Sequence, residues 1–589
     1  MNQYDKQWKK VDSLMNQSGL TESALKEVNK IYELAKKEKN EPQQVKALTY
    51  RLALKGAKLE DEESTSTGLA DLEKEIAATT GNTRAILQSL AASAYNQTYN
   101  NLRWRIRSRS ATVNFVKTDV NTWSADDFHK KISELYLASL SSEKQLQQTK
   151  LESYDALIRK GNVRYLRPTL FDLLAHRALD YFKSDDRNIT RPAFLFEINQ
   201  PEALADVNSF VNAKFQTKDE QSNQFKALQI FQRLLQFHLN DAKPDALVDA
   251  DIDRIEFVHS YGTMPNKDEL YLQSLDKLIS KYGNQPFSAQ AFYLKAVYYN
   301  NLANRYNGLT DTAHRFESVK AVSIINQVLE NKTASEGRAN SFNLLQQIKR
   351  PALRMQAEIV NLPAQNFRAL VTFRNITNLQ ARIIKVDEKK PEDLEGNQWD
   401  EKYWKKLVSL PAFKTFVQKL PDTKDYQEHT TEIPVAGLPV GRYILLVSPD
   451  DFTLSKPIAA QHFYVSNLAY ISSEHNHHVL NRQSGEPVAR AAVQIWNRYY
   501  DYKAGKYQER KGEQFVTDQY GAFTVAKSKT REDNQYRIEL TTAEDHLAIQ
   551  EYQYNGNYNP YDNKTKEYQS TFLFTDRAIY RPGQIIYVK

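Results

Sequence analysis

Near Pro351 the spacing of apolar residues changes from every third or fourth position to every second, and this change divides the chain more sharply than any motif. Upstream, Leu25, Val28, Ile31, Tyr32 and Ala35 share one helical face. Ser124, with Asp127 three residues on, is a capping pair ahead of the stripe Phe128, Ile132 and Leu135. Pro168 is placed at the first position of a helix carrying Leu170, Leu173, Leu174, Ala178 and Tyr181. Ser288 opens a further helix with Phe292, Tyr293, Ala296, Tyr299 and Ala303; Ala321 to Leu329 and Phe342 to Ile348 follow in the same style. Paired amphipathic helices without a strict repeat predict an irregular α-solenoid of hairpins like tetratricopeptide repeats.

Downstream, Leu353, Met355, Ala357 and Ile359 alternate with polar residues, as do Phe367, Ala369, Val371 and Phe373. A period of two marks half-buried strands, because successive side chains point to opposite faces. Leu379, Ala381 and Ile383 continue the pattern; after a polar insertion through Trp399 and Trp404 come Tyr443, Leu445 and Val447, then Phe463 and Val465. With no amphipathic helix evident across this stretch, a β-sandwich is predicted. A second starts near Asn467, with Val479 and Leu480, a turn at Gly485-Glu486-Pro487, the alternating Val493 and Ile495, a hairpin turn at Asp518-Gln519-Tyr520-Gly521, then Phe523, Val525 and Tyr536, Ile538, Leu540. Glu551 to Tyr568 is a surface ribbon or a linker. Phe572 and Phe574 lead to a turn at Arg581-Pro582-Gly583, and the sequence stops at Lys589. One or two strands cannot bury a sandwich core, so a longer protein, interrupted as a further β domain begins, is the expectation. The predicted organisation is therefore helices over 1–350, a sandwich over 351–466, a second over 467–569 and first strands of a third over 570–589.

Composition removes whole function classes. The chain has no cysteine, so it can form no disulfide, thiolate metal site or Cys nucleophile. A net charge of +7 over 589 residues is not that of a nucleic-acid binder, and none is expected as a partner. The longest apolar runs, such as Tyr443 to Val447, are far below the ~20 residues of a membrane helix, so no span is expected. The polar start Met1-Asn2-Gln3 carries no signal peptide, as a trimmed export signal also would not.

Four local patterns suggest chemistry, and each has a plainer explanation. Asp249, Asp251 and Asp253 have calcium-loop spacing, but Arg254 replaces the turn glycine and Ser260 the bidentate glutamate; a solvated helix entry is expected. His475, His477 and His478 would begin a zinc or copper site, yet no further ligand is evident, so an inter-domain surface segment is expected and no metal. Arg103, Arg105, Arg107 and Arg109 would form a basic face on a strand; within a helical stretch they read as a solvated or interlocking surface. The tyrosines at 499–507 and 552–568 would stack on sugar rings or a partner, or serve as structural cover at sandwich edges. No phosphate-binding loop, dinucleotide fingerprint, nucleophile elbow or paired-histidine zinc helix is present, so no enzyme, catalytic residue or cofactor is expected.

The segment Thr575-Asp576-Arg577-Ala578-Ile579-Tyr580-Arg581-Pro582-Gly583-Gln584 resembles the opening strand of a macroglobulin domain in the α2-macroglobulin family. Gly437-Leu438-Pro439-Val440-Gly441-Arg442-Tyr443 looks like the penultimate hairpin of a first macroglobulin-like sandwich. Gly485-Glu486-Pro487-Val488, with Thr517-Asp518 and Gly521-Ala522-Phe523, is similar to the next module. Leu166 to Leu179 is reminiscent of large Bacteroides-type members with a helical N-terminal half. The resemblance implies macroglobulin-like sandwiches in a protease-trapping inhibitor of the periplasm or cell envelope, with proteases as partners of the full-length protein and a possible protein partner on the solenoid. Bait segment and any thioester would lie outside this chain, which lacks the cysteine a thioester requires. Thr575, Asp576, Arg577, Tyr580, Arg581, Pro582 and Gly583 are then structural motif residues. The rival expectation is a surface adhesion or glycan-capture module of a helical repeat domain and immunoglobulin-like sandwiches.

Overall fold

The computed structural model describes residues 3–16, 20–56, 62–106, 120–158, 161, 163–184, 194–387, 400–473, 475–526 and 535–554. The chain divides into two compact units, Met1–Ile348 and Lys349–Lys589. The fold class is helices first and antiparallel sheets after: the last helix of the first run ends at Lys349, and the first strand starts at Ala352. No helix of the described residues is long and apolar enough to cross a membrane.

In the first unit, fifteen α-helices are described. Most pack on the helix next in sequence, as a stack of hairpins requires. The long helix α1 (Gly81–Ile106) lies along α2 (Ala125–Ser139), whose start is a closed capping box of Ser124 and Asp127. Helices α3 (Leu170–Phe182), α4 (Asn223–His238) and α5 (Asp245–Tyr261) follow, and α3 packs on α4 as α4 does on α5. One apolar core runs from Val45 to Leu294 through these helices, and a smaller one joins Tyr4, Trp8, Val28 and Ile31 near the N-terminus. Pro168 is not the first residue of α3: Thr169 is the cap, and Pro168 stands before it. A capping side chain has to precede the first helical residue, so Thr169 takes the boundary and Pro168 stands two positions before Leu170.

The second unit holds two sandwiches. The first has strands β1 (Ala352–Ala357), β2 (Val360–Asn361), β3 (Phe367–Arg374), β4 (Asn378–Lys385), β5 (Lys414–Lys419), β6 (His429–Val435), β7 (Gly441–Ser448) and β8 (Ala459–Val465). They form a three-stranded sheet, β1-β3-β6, facing a five-stranded sheet, β2-β8-β7-β4-β5. Among the described strands, only β2 and β8 pair in parallel. Ala369, Val371 and Phe373 meet Leu379, Ala381, Ile383, Leu445 and Phe463 in the core, each large side chain contributing about 1.5–3 kcal/mol by leaving water.

The polar insertion contains a helix that sequence alone did not reveal. Helix α6 (Glu401–Ser409) is capped by Asp400 and lays Tyr403 and Leu407 on the outer side of the five-stranded sheet, against Ile384, Ile444, Leu446 and Phe452. Strand β7 is thus covered on both faces, which explains its unbroken apolar run Tyr443 to Val447.

The second sandwich has β9 (Leu468–Ser473), β10 (Asn476–Asn481), β11 (Ala492–Asp501), β12 (Lys506–Val516), β13 (Ala522–Thr524), β14 (Gln535–Thr541), β15 (His546–Leu547) and β16 (Gln553–Tyr554). Its sheets are β13-β10-β9 and β12-β11-β14-β15, with β16 added on β14. Val479, Val493, Ile495, Phe523, Tyr536 and Ile538 form a core separate from that of the first sandwich, joined at its margin by Val360 and Tyr464. Asp518 to Gly521 is a turn, but not a hairpin: it carries the chain from β12 in one sheet to β13 in the other. Gly521 has a φ of +69° there, and a Cβ on it would lie 2.3 Å from the Val479 carbonyl. The motif Thr575 to Gln584 lies outside the described residues.

Candidate functional site

The two units each bury titratable side chains, by different means. In the helical unit the polar groups cluster where α3, α4 and α5 meet. The Thr169 backbone N–H and hydroxyl both donate to one carboxylate oxygen of Asp172, at 2.8 and 2.6 Å. The other Asp172 oxygen accepts from His238 Nε2 at 2.7 Å, and His238 Nδ1 donates to Asp241 at 2.6 Å. Both ring nitrogens therefore face carboxylates, the arrangement of an imidazolium. Burial opposes that charge, but Asp172 and Asp241 together outweigh it and raise the His238 pKa above its ordinary 6.5.

His176 lies one turn after Asp172, and its Nδ1 donates to the Asp172 carbonyl at 2.9 Å. Its Nε2 looks toward Asp249 at 4.0 Å, and Arg167 stands 3.6 Å from the same carboxylate. Burial, then the Arg167 charge, lowers the His176 pKa; burial also raises that of Asp249. Arg177 donates to Ser89 at 2.9 Å. The stretch Leu166 to Leu179, which the sequence offered only as a resemblance, thus supplies the polar joints of three helices.

The carboxylates Asp249, Asp251 and Asp253 do not converge on a cation and are not at a solvated helix entry. They occupy the interior of α5, where a step of two residues swings Asp251 away from the face that Asp249 and Asp253 share. Asp251 turns inward to the fully buried Arg254, which donates to it from Nε at 2.8 Å and also serves the carbonyls of Ala203 and Ala205. The Arg254 guanidinium lies 4.5 Å from the centre of the Phe210 ring. Asp253 pairs instead with Lys183 at 2.6 Å. The residue that displaced calcium-loop glycine is therefore the clasp between α5 and the short turn Pro201–Leu204.

In the β unit, His477 is a core residue and not part of a surface segment. It stacks on Phe523 with centroids 4.8 Å apart. A closed ring of hydrogen bonds surrounds it: Gln553 Nε2 donates to Ser472 Oγ (3.1 Å), the Ser472 hydroxyl to His477 Nδ1 (2.7 Å), His477 Nε2 to the Tyr536 oxygen (3.0 Å), and the Tyr536 hydroxyl to Gln553 Oε1 (3.2 Å). With the Gln553 amide in this orientation, the circuit closes with a neutral imidazole carrying its proton on Nε2. Burial, with the neighbouring His475 and His478, pushes the His477 pKa down to about 4. Among the described residues no group of three His, Asp or Glu side chains is placed to hold a metal.

The outer face of β12-β11-β14 carries a ladder of rings and charges. Trp496 lies between Arg537 and Lys511, at 5.1 and 5.7 Å. Arg498 lies between Tyr507 and Tyr552, at 4.1 and 4.6 Å. Glu509 accepts both Arg537 N–H groups at 2.7 Å and the Tyr552 hydroxyl at 2.6 Å; burial opposes its charge, but these donors win and lower its pKa. Burial and then Glu509 lift Tyr552 to about 12. Arg103 and Arg105 lie in the last turn of α1, on a helix and not a strand, whereas Arg107 and Arg109 lie outside the described residues. A cleft of about 620 Å³ separates the sandwiches, lined by Lys385, Arg442, Thr541, Glu544, Asp545 and His546. Its polar groups are partly committed: His546 faces Glu539 at 2.8 Å, and Asp545 accepts from the Asn467 N–H at 2.6 Å.

No family model matches the chain, and no curated protein does. Among solved structures, native α2-macroglobulin from Escherichia coli spanning domains MG0-NIE-MG1 is 13% identical, over 34% of this chain and 64% of that one, with a TM-score of 0.26. Its NIE-MG1 form is 12% identical over 34% and 97%, with a TM-score of 0.24. Salmonella α2-macroglobulin reacted with methylamine is 14% identical over 41% and 18%, with a TM-score of 0.16. The chain thus spans less than two thirds of the first of these structures, and likenesses of this strength do not set its family.

Proposed function

We propose that this chain is the N-terminal scaffold of an α2-macroglobulin-like protease-trapping inhibitor of the bacterial cell envelope, taking no catalytic part itself. The observation that carries the reading is the macroglobulin-type motif Thr575 to Gln584, placed after a helical unit and two successive antiparallel sandwiches. Scaffolding is also in keeping with how the titratable side chains are used. Asp172, His238, Arg254 and His477 each join two or more elements through buried bonds. The periplasm as location, proteases as partners of the full-length protein and a bait segment beyond this chain belong to the same proposal.

The test is protease protection by the full-length protein. A trap blocks cleavage of large protein substrates while leaving small peptide substrates accessible, and the protease becomes physically retained. Equal cleavage of both substrate sizes would overturn the reading. The second reading, a glycan-capture surface module, is favoured by one observation only: the exposed tyrosines at the β11–β12 tip.

A further inference from the structure

The β11–β12 hairpin ends in a patch of exposed tyrosines and lysines. Tyr500 faces Tyr507 across the strands, and period-two geometry puts Arg498 on the same side. The Tyr500 ring meets Tyr502 and Tyr507 edge-on, with centroids 5.1 Å away in both cases. Tyr502 is 86% exposed and Tyr507 57%, so this cluster of rings is held in solvent instead of being covered. The tip is rigidly built: Gly505, at a φ of +66°, turns the chain so that its N–H reaches the Asp501 carbonyl at 2.8 Å.

Charge separates partner classes. Asp501 is spent on the turn itself, accepting from the Lys503 and Ala504 N–H groups and from Gln508. Glu509 is spent on Arg537 and Tyr552. Lys503 and Lys506 are exposed and make no ion pair among the described residues. Across 499–508, Lys503 and Lys506 stand against the single carboxylate of Asp501, so the tip offers tyrosine faces with a small excess of positive charge.

We propose that this hairpin tip binds an acidic polysaccharide, with sugar rings packed on Tyr500 and Tyr502 and uronate or sulfate groups on Lys503 and Lys506. Between 499 and 508 there is no Leu, Ile, Val, Phe or Trp, so the tip lacks the aliphatic wedge of a bilayer-inserting loop. Two free cations at a tip also fall short of the continuous basic groove that tracks a single-stranded nucleic acid. The inference stands apart from the trapping proposal, which it neither needs nor supports.

The test uses the whole 589-residue chain in a binding assay against polygalacturonate, neutral dextran, oligo(dT) and phosphatidylglycerol vesicles. Polygalacturonate should bind and dextran should not. The pair Lys503→Gln/Lys506→Gln should weaken binding roughly tenfold at low salt, with the difference shrinking as salt rises. The pair Tyr500→Ala/Tyr502→Ala should weaken it at every salt concentration. All four side chains are exposed, and unchanged melting of the variants confirms an intact fold. Polygalacturonate binding indifferent to both pairs overturns the proposal, as does tip-dependent binding that prefers oligo(dT) or the vesicles.

Discussion

His238 in the helical unit and His477 in the β unit are both buried, and their surroundings push their pKa values in opposite directions. His238 sits where the first turn of α3 and the segment after α4 deliver carboxylates to both ring nitrogens, so the cationic form of the ring is favoured. His477 sits between two sheets whose strands deliver a serine and a tyrosine, so it is held neutral. The difference follows from the architecture. A helix end gathers acids, as the Thr169–Asp172 box does, because its free N–H groups attract them. The sandwich interior has its backbone groups paired, and around His477 it supplies only uncharged side chains, which complete a closed circuit.

The largest effect that would break this comparison is expected at Arg254. Arg254→Ala should cost about 3–5 kcal/mol, because the buried Asp251 carboxylate and two carbonyls lose their partner. Hydrogen exchange should show α5 and the turn at Pro201–Leu204 opening while β10 and β14 keep their protection. Next comes acid. His477 has a depressed pKa, so its contribution is full above pH 6.5 and is lost as the pH falls toward about 4, amounting to about 3 kcal/mol at most. His238 has the reverse sign: its contribution is full below pH 6.5 and fades as the pH rises through its raised pKa. Once the intrinsic rate of each amide is divided out, protection between pH 7 and 4.5 should therefore fall in β10 and not at the contact of α3 with α4.

Smaller substitutions sharpen the same contrast. Tyr536→Phe opens the ring at His477 and Gln553 and should cost about 1–3 kcal/mol in urea unfolding. The same variant should move the His477 titration, because the Nε2 proton loses its acceptor. Thr169→Ala removes one cap from α3 and should cost about 1 kcal/mol, leaving the β unit's pH response unchanged.

The two kinds of burial were not equally readable from sequence. Helices and strands were, because apolar spacing reports directly which face is buried: Ala369, Val371 and Phe373 could belong only to a strand, and Phe128, Ile132 and Leu135 only to a helix. Even the Ser124 cap was visible, since its partner Asp127 is three residues away. Helix α6 was missed because its apolar residues are few, Tyr403, Trp404, Leu407 and Val408, and the insertion around them is polar; their spacing of one, three and one was the available signal. The polar joints were hidden for a stronger reason. His238 finds Asp172 across 66 positions and His477 finds Tyr536 across 59, so no local spacing announces either pair. Asp251 is buried where a solvated helix entry was the expectation, because its partner Arg254 lies one turn along the same helix and turns inward with it.

Histidine titration by NMR tests the contrast most directly, with the two signals assigned through His238→Gln and His477→Gln. The account predicts one ring that stays protonated above pH 6.5 and another that stays neutral, in the Nε2–H form, until about pH 4. Both rings titrating together near 6.5 would contradict it.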